Sequence, residues 1–177
     1  MTWGDVFVEL DTKLHDRNSF ECGKEELNEF IKTKASKHMK AGVSRTMLLP
    51  ASTVKPSDTH QICSFYTITP GSISRDNLPE EQAKKLPHYP IPIFLIAQLA
   101  VHQEHHGKGL GKITLIKALE HLSRIHNEMR AYAVIVDCLD EEAKDFYSKY
   151  GFEFLCERNK RIRMYLPMKS VIELFQN

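Results

Sequence analysis

Hydrophobic positions recur at two different spacings along the chain, and these spacings predict alternating helices and strands. From Lys24 to about Met39, apolar residues on one face at helical spacing predict a helix that Gly42 ends. A nearly unbroken apolar run from Ile93 to Val101 predicts a central strand covered on both faces. From Gly109 to about Asn127, an apolar stripe opposite a charged face predicts a second long helix.

Shorter segments complete the predicted order. Strands are predicted at Val6–Leu10, Arg45–Leu49, Gln61–Ile68, Ala131–Val136, Phe152–Cys156 and Ile162–Leu166. Residues 50–59 are polar and contain prolines, which favours a hairpin loop. A short helix is predicted near Glu80–Lys85, and another runs from a cap at Asp140 to Tyr150. This order predicts the α/β (α+β) class, with a mixed central sheet flanked by helices on both faces.

Composition and charge narrow the functional class. The 177 residues fit one domain, 1–177, with enough apolar side chains for a core. No apolar run reaches the roughly 20 residues of a membrane-spanning helix, and the first residues lack a signal-peptide pattern. The four cysteines form no C-x-x-C pair, as expected of reduced, buried thiols in the cytoplasm. The net charge of +1 argues against a general nucleic-acid coat protein but permits local basic patches.

A glycine-rich segment between the central strand and the second long helix predicts an anion site. It reads His106-Gly107-Lys108-Gly109-Leu110-Gly111. Free amide groups and the positive end of a helix dipole attract anions, and glycines let the backbone approach a diphosphate. The spacing fits neither a P-loop nor the G-x-G-x-x-G dinucleotide fingerprint. A glycine-rich turn without a ligand is the alternative reading.

The helix that follows Asp140 carries a second pattern. Ala143 is followed by Phe146-Tyr147 and then by Gly151-Phe152. Taken alone, Tyr147 is typical of a core tyrosine whose hydroxyl is satisfied. The pattern therefore gains meaning only together with the glycine-rich segment upstream.

Together the two segments resemble the GNAT (Gcn5-related N-acetyltransferase) family. The glycine-rich segment matches the family's acetyl-CoA motif, with His106 where Arg or Gln is usual. The Ala143, Phe146-Tyr147 and Gly151-Phe152 pattern matches the later family signature. The resemblance implies the GNAT fold, acetyl-CoA as cosubstrate and no metal.

From about residue 20 to 167 the chain is similar to the TacT-like toxins of bacterial toxin–antitoxin modules. The matching segments are Leu27–Ile31, Ser44–Thr46, Phe65-Tyr66, Pro90–Ile93, Leu99–Val101, His106–Gly111, Glu141–Tyr147 and Leu166-Pro167. This resemblance implies acetylation of the α-amine of aminoacyl-tRNA, which stops translation. It also implies a homodimer and a neighbouring ribbon-helix-helix antitoxin. Gln98 departs from the group, since many of these toxins have Arg there.

The resemblance also assigns residue roles. The residues implied to hold acetyl-CoA are Leu99, Ala100, Val101, His106, Gly107, Lys108, Gly109, Leu110, Gly111 and Lys112. The strand would bind the pantetheine arm and polarise the thioester carbonyl, and the loop would hold the pyrophosphate. Tyr147 would protonate the departing thiolate. An α-amine has a pKa near 7.7–8.0, so a sizeable fraction is neutral without a dedicated base.

Two further clusters have competing readings. His102, Glu104, His105 and His106 invite a metal interpretation, but the H-E-x-x-H pattern is not met, and we predict no metal. Cationic residues suggest contacts to an RNA-borne acceptor, and solvated faces are the alternative. The candidate acceptor residues are Arg45, Gln98, Arg158, Lys160, Arg161 and Arg163.

Three functional hypotheses follow. The first is a toxin that acetylates aminoacyl-tRNA. The second is a GNAT enzyme that acetylates a small-molecule or protein amine. The third is a catalytically inactive fold used as a binding module, which the intact glycine-rich motif and Tyr147 argue against.

Overall fold

The structure, a computed structural model, describes residues 1–176. Its backbone contacts divide them into two compact units. The first unit comprises residues 1–69 and 97–118, and the second comprises 70–96 and 119–176. Within these residues, no helix is both long enough and apolar enough to cross a membrane.

The first unit is built on antiparallel strands. Its elements are β1 (Val8–Glu9), β2 (His15–Asp16), α1 (Glu25–Glu29), a π-helical segment (Phe30–Lys34), α2 (Ala35–Lys40), β3 (Arg45–Val54), most of β4 (His60–Ile73), the end of β5 (Ile91–Val101) and the start of α4 (Leu110–Glu128). Strand β3 pairs antiparallel with both β1 and β4, whereas β2 pairs parallel with β4. The sheet of this unit is therefore mixed.

The helix of the first unit is interrupted by the π segment. The amide of Ala35 donates to the carbonyl of Phe30, five residues back instead of four. Arg17 donates from its guanidinium to the Lys32 carbonyl at 3.1 Å, inside the widened turn. The helix still buries Phe30, Ile31 and Ala35 in the core of this unit, as the apolar spacing predicts. His38, expected on the same face, is exposed, and its ring meets Phe30 edge-on.

The second unit combines parallel and antiparallel pairing. It contains α3 (Glu80–Ala83), the start of β5, the end of α4, β6 (Ala133–Cys138), α5 (Glu141–Lys149), β7 (Glu153–Arg158), β8 (Arg161–Pro167) and α6 (Met168–Leu174). Strands β5 and β6 pair parallel, with Phe94 opposite Val134. Strand β8 pairs antiparallel with both β6 and β7. The α/β prediction with a mixed sheet is confirmed.

Several predicted boundaries were wrong. Residues 50–54, expected in the hairpin loop, continue β3, with register shifts on both sides of Pro50. A proline removes one ladder donor, and a bulge accommodates that loss. The return strand begins at His60 and extends to Ile73, beyond the predicted Ile68. The short strand β2 and the last helix α6 were not predicted.

Candidate active site

The glycine-rich loop joins β5 to α4 in the first unit. A single 3₁₀ turn, Gln103–His105, precedes it. Gly107 and Gly109 have φ of 74° and 82°, in the left-handed region that glycine adopts without strain. No described heavy atom lies within 4 Å of a Cβ added at either position. His106 to Gly109 are all exposed, so the loop backbone is open to a ligand.

The first turn of α4 gives this loop its electrostatic character. The Ile113 amide donates to the Gly109 carbonyl at 3.2 Å. The amides before it therefore lie at the helix end, where α-helical geometry provides no partners. The exposed side chains of Lys108 and Lys112 add positive charge. Amides, a helix dipole and two cations match the diphosphate of a nucleotide-type cosubstrate.

Side-chain hydrogen bonds fix the loop at both ends. The ring Nε2 of His106 bonds the Val101 carbonyl at 2.8 Å, which ties the loop to the end of β5. The buried Thr114 hydroxyl lies 2.8 Å from Ser64 Oγ on β4 and 2.7 Å from the Leu110 carbonyl. Sequence reasoning missed Ser64 and Thr114. A serine within the apolar run of β4 was the signal that could have found them.

The end of β5 places alternate residues on opposite faces. Ala100 is buried in the core of the first unit, while Leu99 and Val101 are half-buried. The His102 amide donates to the Cys63 carbonyl at 2.8 Å, which holds this end of β5 beside β4. The strand segment predicted to bind a pantetheine arm is therefore held in place by β4.

Tyr147 lies on α5 in the second unit. Asp140 caps this helix by accepting from the Ala143 amide at 2.9 Å, as predicted. The ring of Tyr147 packs edge-on against Phe146 and Phe152, with ring centroids 5.2 and 5.3 Å away. The side chain is only 7% exposed. The aromatic contacts therefore fix the direction of the phenol.

The Tyr147 hydroxyl is not part of the core's hydrogen-bond network. Among residues 1–176, no hydrogen-bond partner is described for it. Burial, with the nearby Cys138 as a smaller cause, raises the pKa of the Tyr147 phenol well above its usual value. The group is therefore protonated at neutral pH and has a proton to donate.

The cationic run near the C-terminus lies at a hairpin. Arg158 and Arg161 face each other across the turn that joins β7 to β8, and Asn159 and Lys160 occupy the turn with φ of 51° and 65°. Arg158 and Lys160 are exposed, and Arg161 is half-buried. The hairpin thus presents cations to solvent at its tip.

Arg163 corrects the expectation that all four cations of this run face solvent. Its guanidinium donates to both carboxylate oxygens of Asp137 on β6, at 2.7 and 2.9 Å, and it is 6% exposed. The Asp137 carboxylate raises the pKa of Arg163 further. Strand alternation explains the difference, because Arg163 is separated from exposed hairpin positions by the turn of the ladder into the sheet. The pair links β6 to β8 instead of meeting a ligand.

The other two candidate acceptor residues lie in the first unit. Arg45 is exposed at the first residue of β3, opposite Ile68. Gln98 is half-buried on β5, directly before Leu99. Both side chains can therefore reach a molecule outside the protein core.

Comparison with known proteins places this geometry in a family. Residues 70–154 match the model of the acetyltransferase (GNAT) domain. A probable toxin TacT from Sinorhizobium fredii (strain NBRC 101917 / NGR234) is 31% identical over 177 residues, covering 96% of this chain and 94% of the relative. The chain belongs to the GNAT acetyltransferases.

Solved structures of GNAT toxins share the fold along nearly the whole chain. AtaT complexed with acetyl-methionyl-tRNAfMet has a TM-score of 0.84 at 26% identity, covering 97% of this chain and 99% of that one. AtaTR bound with acetyl-CoA has a TM-score of 0.82 at 27% identity, covering 97% and 98%. The glycine-rich loop of this GNAT enzyme thus has the charge and the open backbone that acetyl-CoA requires.

The histidine cluster of this acetyltransferase has no metal geometry. Among residues 1–176, no group of three or more His, Cys, Asp or Glu side chains is arranged to hold a metal ion. His102 and His105 are buried, and His102 Nδ1 accepts from the Glu104 amide at 3.1 Å. The His105 ring packs edge-on against Trp3 at 5.1 Å. The two histidines therefore form part of the packing behind the loop.

We expect His105 to make the acetyltransferase sensitive to mild acid. Neither ring nitrogen of His105 has a partner among residues 1–176, and burial lowers its pKa below 6.5. The folded state therefore favours the neutral ring. As pH falls below about 6.5, the unfolded chain gains a proton that the folded chain resists, so stability is lost. Melting temperatures measured from pH 7 to pH 5 should fall, and less so in His105→Phe. An equal fall in both proteins would contradict this origin.

Proposed function

We propose that this enzyme is a toxin that transfers the acetyl group of acetyl-CoA to the α-amine of aminoacyl-tRNA and thereby blocks translation. The observation that carries the proposal is the similarity to toxin TacT along 96% of the chain, with the glycine-rich loop intact. The relative solved with acetyl-methionyl-tRNAfMet supports the same acceptor class. We propose that residues 1–177 act as one acetyltransferase domain.

In this proposal, β5 and the glycine-rich loop bind acetyl-CoA. The backbone of Leu99, Ala100 and Val101 would bond the pantetheine arm and polarise the thioester carbonyl. The residues that would hold the pyrophosphate are His106, Gly107, Lys108, Gly109, Leu110, Gly111 and Lys112. The positive φ at Gly107 and Gly109 and the exposed loop backbone support this role.

The chemistry requires one bond to form and one to break. The neutral amine attacks the thioester carbonyl, a carbon–nitrogen bond forms, and the carbon–sulfur bond breaks. Tyr147 donates its proton to the departing thiolate and regains one from the nitrogen that has become acylated. The raised pKa of Tyr147 keeps that proton in place before the reaction. With an amine pKa near 7.7–8.0, no strong base is needed.

The acceptor side of the proposal rests on polar residues outside the core. Arg45, Gln98 and the hairpin residues Arg158, Lys160 and Arg161 are candidates to contact the RNA or its aminoacyl end. Arg163 is not among them, because its guanidinium is committed to Asp137. Exposed Arg and Lys neutralise phosphates without reading sequence, so these contacts would position the acceptor.

The proposal extends to the biological setting. Aminoacyl-tRNA is a cytoplasmic substrate, so we propose that the enzyme acts in the cytoplasm. We also propose a homodimer and a ribbon-helix-helix antitoxin encoded beside it, as the resemblance to TacT-like toxins implies.

The acceptor is tested by offering several amines in parallel. Radiolabelled acetyl-CoA is supplied with total charged tRNA, deacylated tRNA, polyamines or cell protein. We expect label in charged tRNA alone, and we expect hydrolysis of the aminoacyl ester to release it. Label in polyamines or protein, with none in charged tRNA, would replace the proposal with a small-molecule or protein acetyltransferase.

The salt dependence of the rate gives an independent check. Binding to RNA phosphates releases counterions, so the rate with charged tRNA should fall steeply between about 50 and 200 mM salt. Arg158→Gln with Lys160→Gln should make that dependence shallower. A flat salt response with charged tRNA would remove these cations from the acceptor site.

A further inference from the structure

A groove of about 710 Å³ lies in the second unit, on residues that the proposed reaction does not use. Its apolar lining residues are Leu86, Ala131, Pro167, Met168 and Ile172. They come from the segment after α3, the start of β6, the end of β8 and α6. Four elements therefore contribute to one continuous apolar floor.

Cationic side chains surround this floor. Lys85, Arg130 and Lys169 line the groove and are exposed. Within residues 1–176, no ion pair is described for any of the three. Glu173 is the one carboxylate among the described lining residues. Three cations against one carboxylate leave the groove with net positive charge.

The polar groups in the groove wall are already satisfied. The Tyr132 hydroxyl donates to Gln82 Oε1, and Gln82 Nε2 donates to the Tyr165 hydroxyl at 3.2 Å. His126 Nδ1 accepts from the Ala131 amide at 3.2 Å. Burial lowers the pKa of His126, so its ring adds no charge at neutral pH. The wall is thus preformed, and the three exposed cations retain unused hydrogen-bond donors.

We propose that this groove docks an acidic amphipathic polypeptide segment. Apolar side chains of the segment would cover Leu86, Met168 and Ile172, while its carboxylates would meet Lys85, Arg130 and Lys169. An apolar floor suits side chains better than a phosphate backbone, which would leave that floor exposed to water. The inference concerns a protein partner and is independent of which amine the enzyme acetylates.

Charge complementarity also favours a different chain over a second copy of this one. A two-fold contact through the groove would bring the cations of one copy against those of the other, with a single Glu173 per copy to offset them. Like charges placed together across an interface disfavour that partner. A foreign segment rich in Asp and Glu has no such penalty.

The test is a selection for peptide binders. A ribosome-displayed library of random 16-residue peptides is selected on the full chain. It is counter-selected on the chain carrying Lys85→Glu, Arg130→Glu and Lys169→Glu. We expect enriched peptides with Asp or Glu between apolar residues at helical spacing. Their affinity should fall at least about tenfold in the triple variant, because each reversed charge removes one attraction and adds one repulsion.

A matched triple variant controls for charge alone. Lys84, Arg124 and Lys149 are exposed in the same unit and do not line the groove, so their reversal to Glu should leave peptide affinity unchanged. Circular dichroism verifies folding, and Lys169→Glu alone provides a milder variant. Transfer of acetyl to charged tRNA should continue in the groove variant, which separates this inference from the proposed acceptor.

Four results would overturn the proposal. One is a selection that enriches no peptide over the groove variant. Another is an enriched set that lacks acidic residues. A third is a groove variant that loses charged-tRNA affinity and salt dependence, which would assign the surface to RNA. The last is a change in sedimentation of the groove variant, which would assign the surface to a second copy.

Discussion

Gly109→Glu should abolish acetyl-CoA binding. The position has φ of 82°, which strains any residue with a Cβ, and the new carboxylate would face the diphosphate. Hydrogen bonds to charged groups contribute about 1.5–3 kcal/mol each, so losing two weakens binding at least about a hundredfold. Isothermal titration of the variant with acetyl-CoA measures this directly.

The control must separate local strain from the loss of the anion site. Gly42 has φ of 76°, and no described atom lies within 4 Å of an added Cβ, as at Gly109. Gly42→Glu therefore introduces comparable strain and the same charge outside the loop, and it should bind acetyl-CoA normally. Unchanged affinity in a folded Gly109→Glu protein would mean that the diphosphate lies elsewhere.

Tyr147→Phe should lower turnover by about 10²–10⁴-fold, the usual contribution of general acid catalysis. The ring contacts with Phe146 and Phe152 would remain. Since no partner for the hydroxyl is described within residues 1–176, its removal should barely change the melting temperature. Single-turnover rates at saturating acetyl-CoA and calorimetric melting measure the two effects.

Tyr150→Phe is the matched control. Tyr150 lies at the end of the same helix and packs against Phe146, but it has no assigned role. Its variant should keep normal turnover. The pH profile adds a second check, because a raised pKa keeps Tyr147 protonated beyond its ordinary value near 10. A wild-type rate that declines between pH 8 and 9.5 would contradict Tyr147 as the acid.

The sequence predicted long periodic elements better than short or irregular ones. The stripe of α4 and the run of β5 carry many apolar positions, so their type was clear within one or two residues. Strand β2 has two residues, too few to show a period. The extension of β3 through Pro50 was missed because proline ordinarily marks a loop, and tertiary pairing with β4 overrode that tendency.

The candidate site divides in the same way. Gly107 and Gly109 were identified because their positive φ leaves a compositional trace in the sequence. Tyr147 was identified through a family pattern, since its burial and aromatic contacts have no sequence period of their own. Arg163 was misjudged, because its partner Asp137 lies 26 residues away and only the pairing of β6 with β8 brings them together.

The π segment Phe30–Lys34 constrains which insertions and deletions this chain tolerates. An α-helix turns about 100° per residue, so removing one residue from the segment would restore regular bonding but rotate everything after it by that angle. Ala35, now fully buried, would swing toward solvent, and a neighbouring lysine would take its place in the core. Shortening the helix by a single codon would thus be more damaging than most substitutions within it.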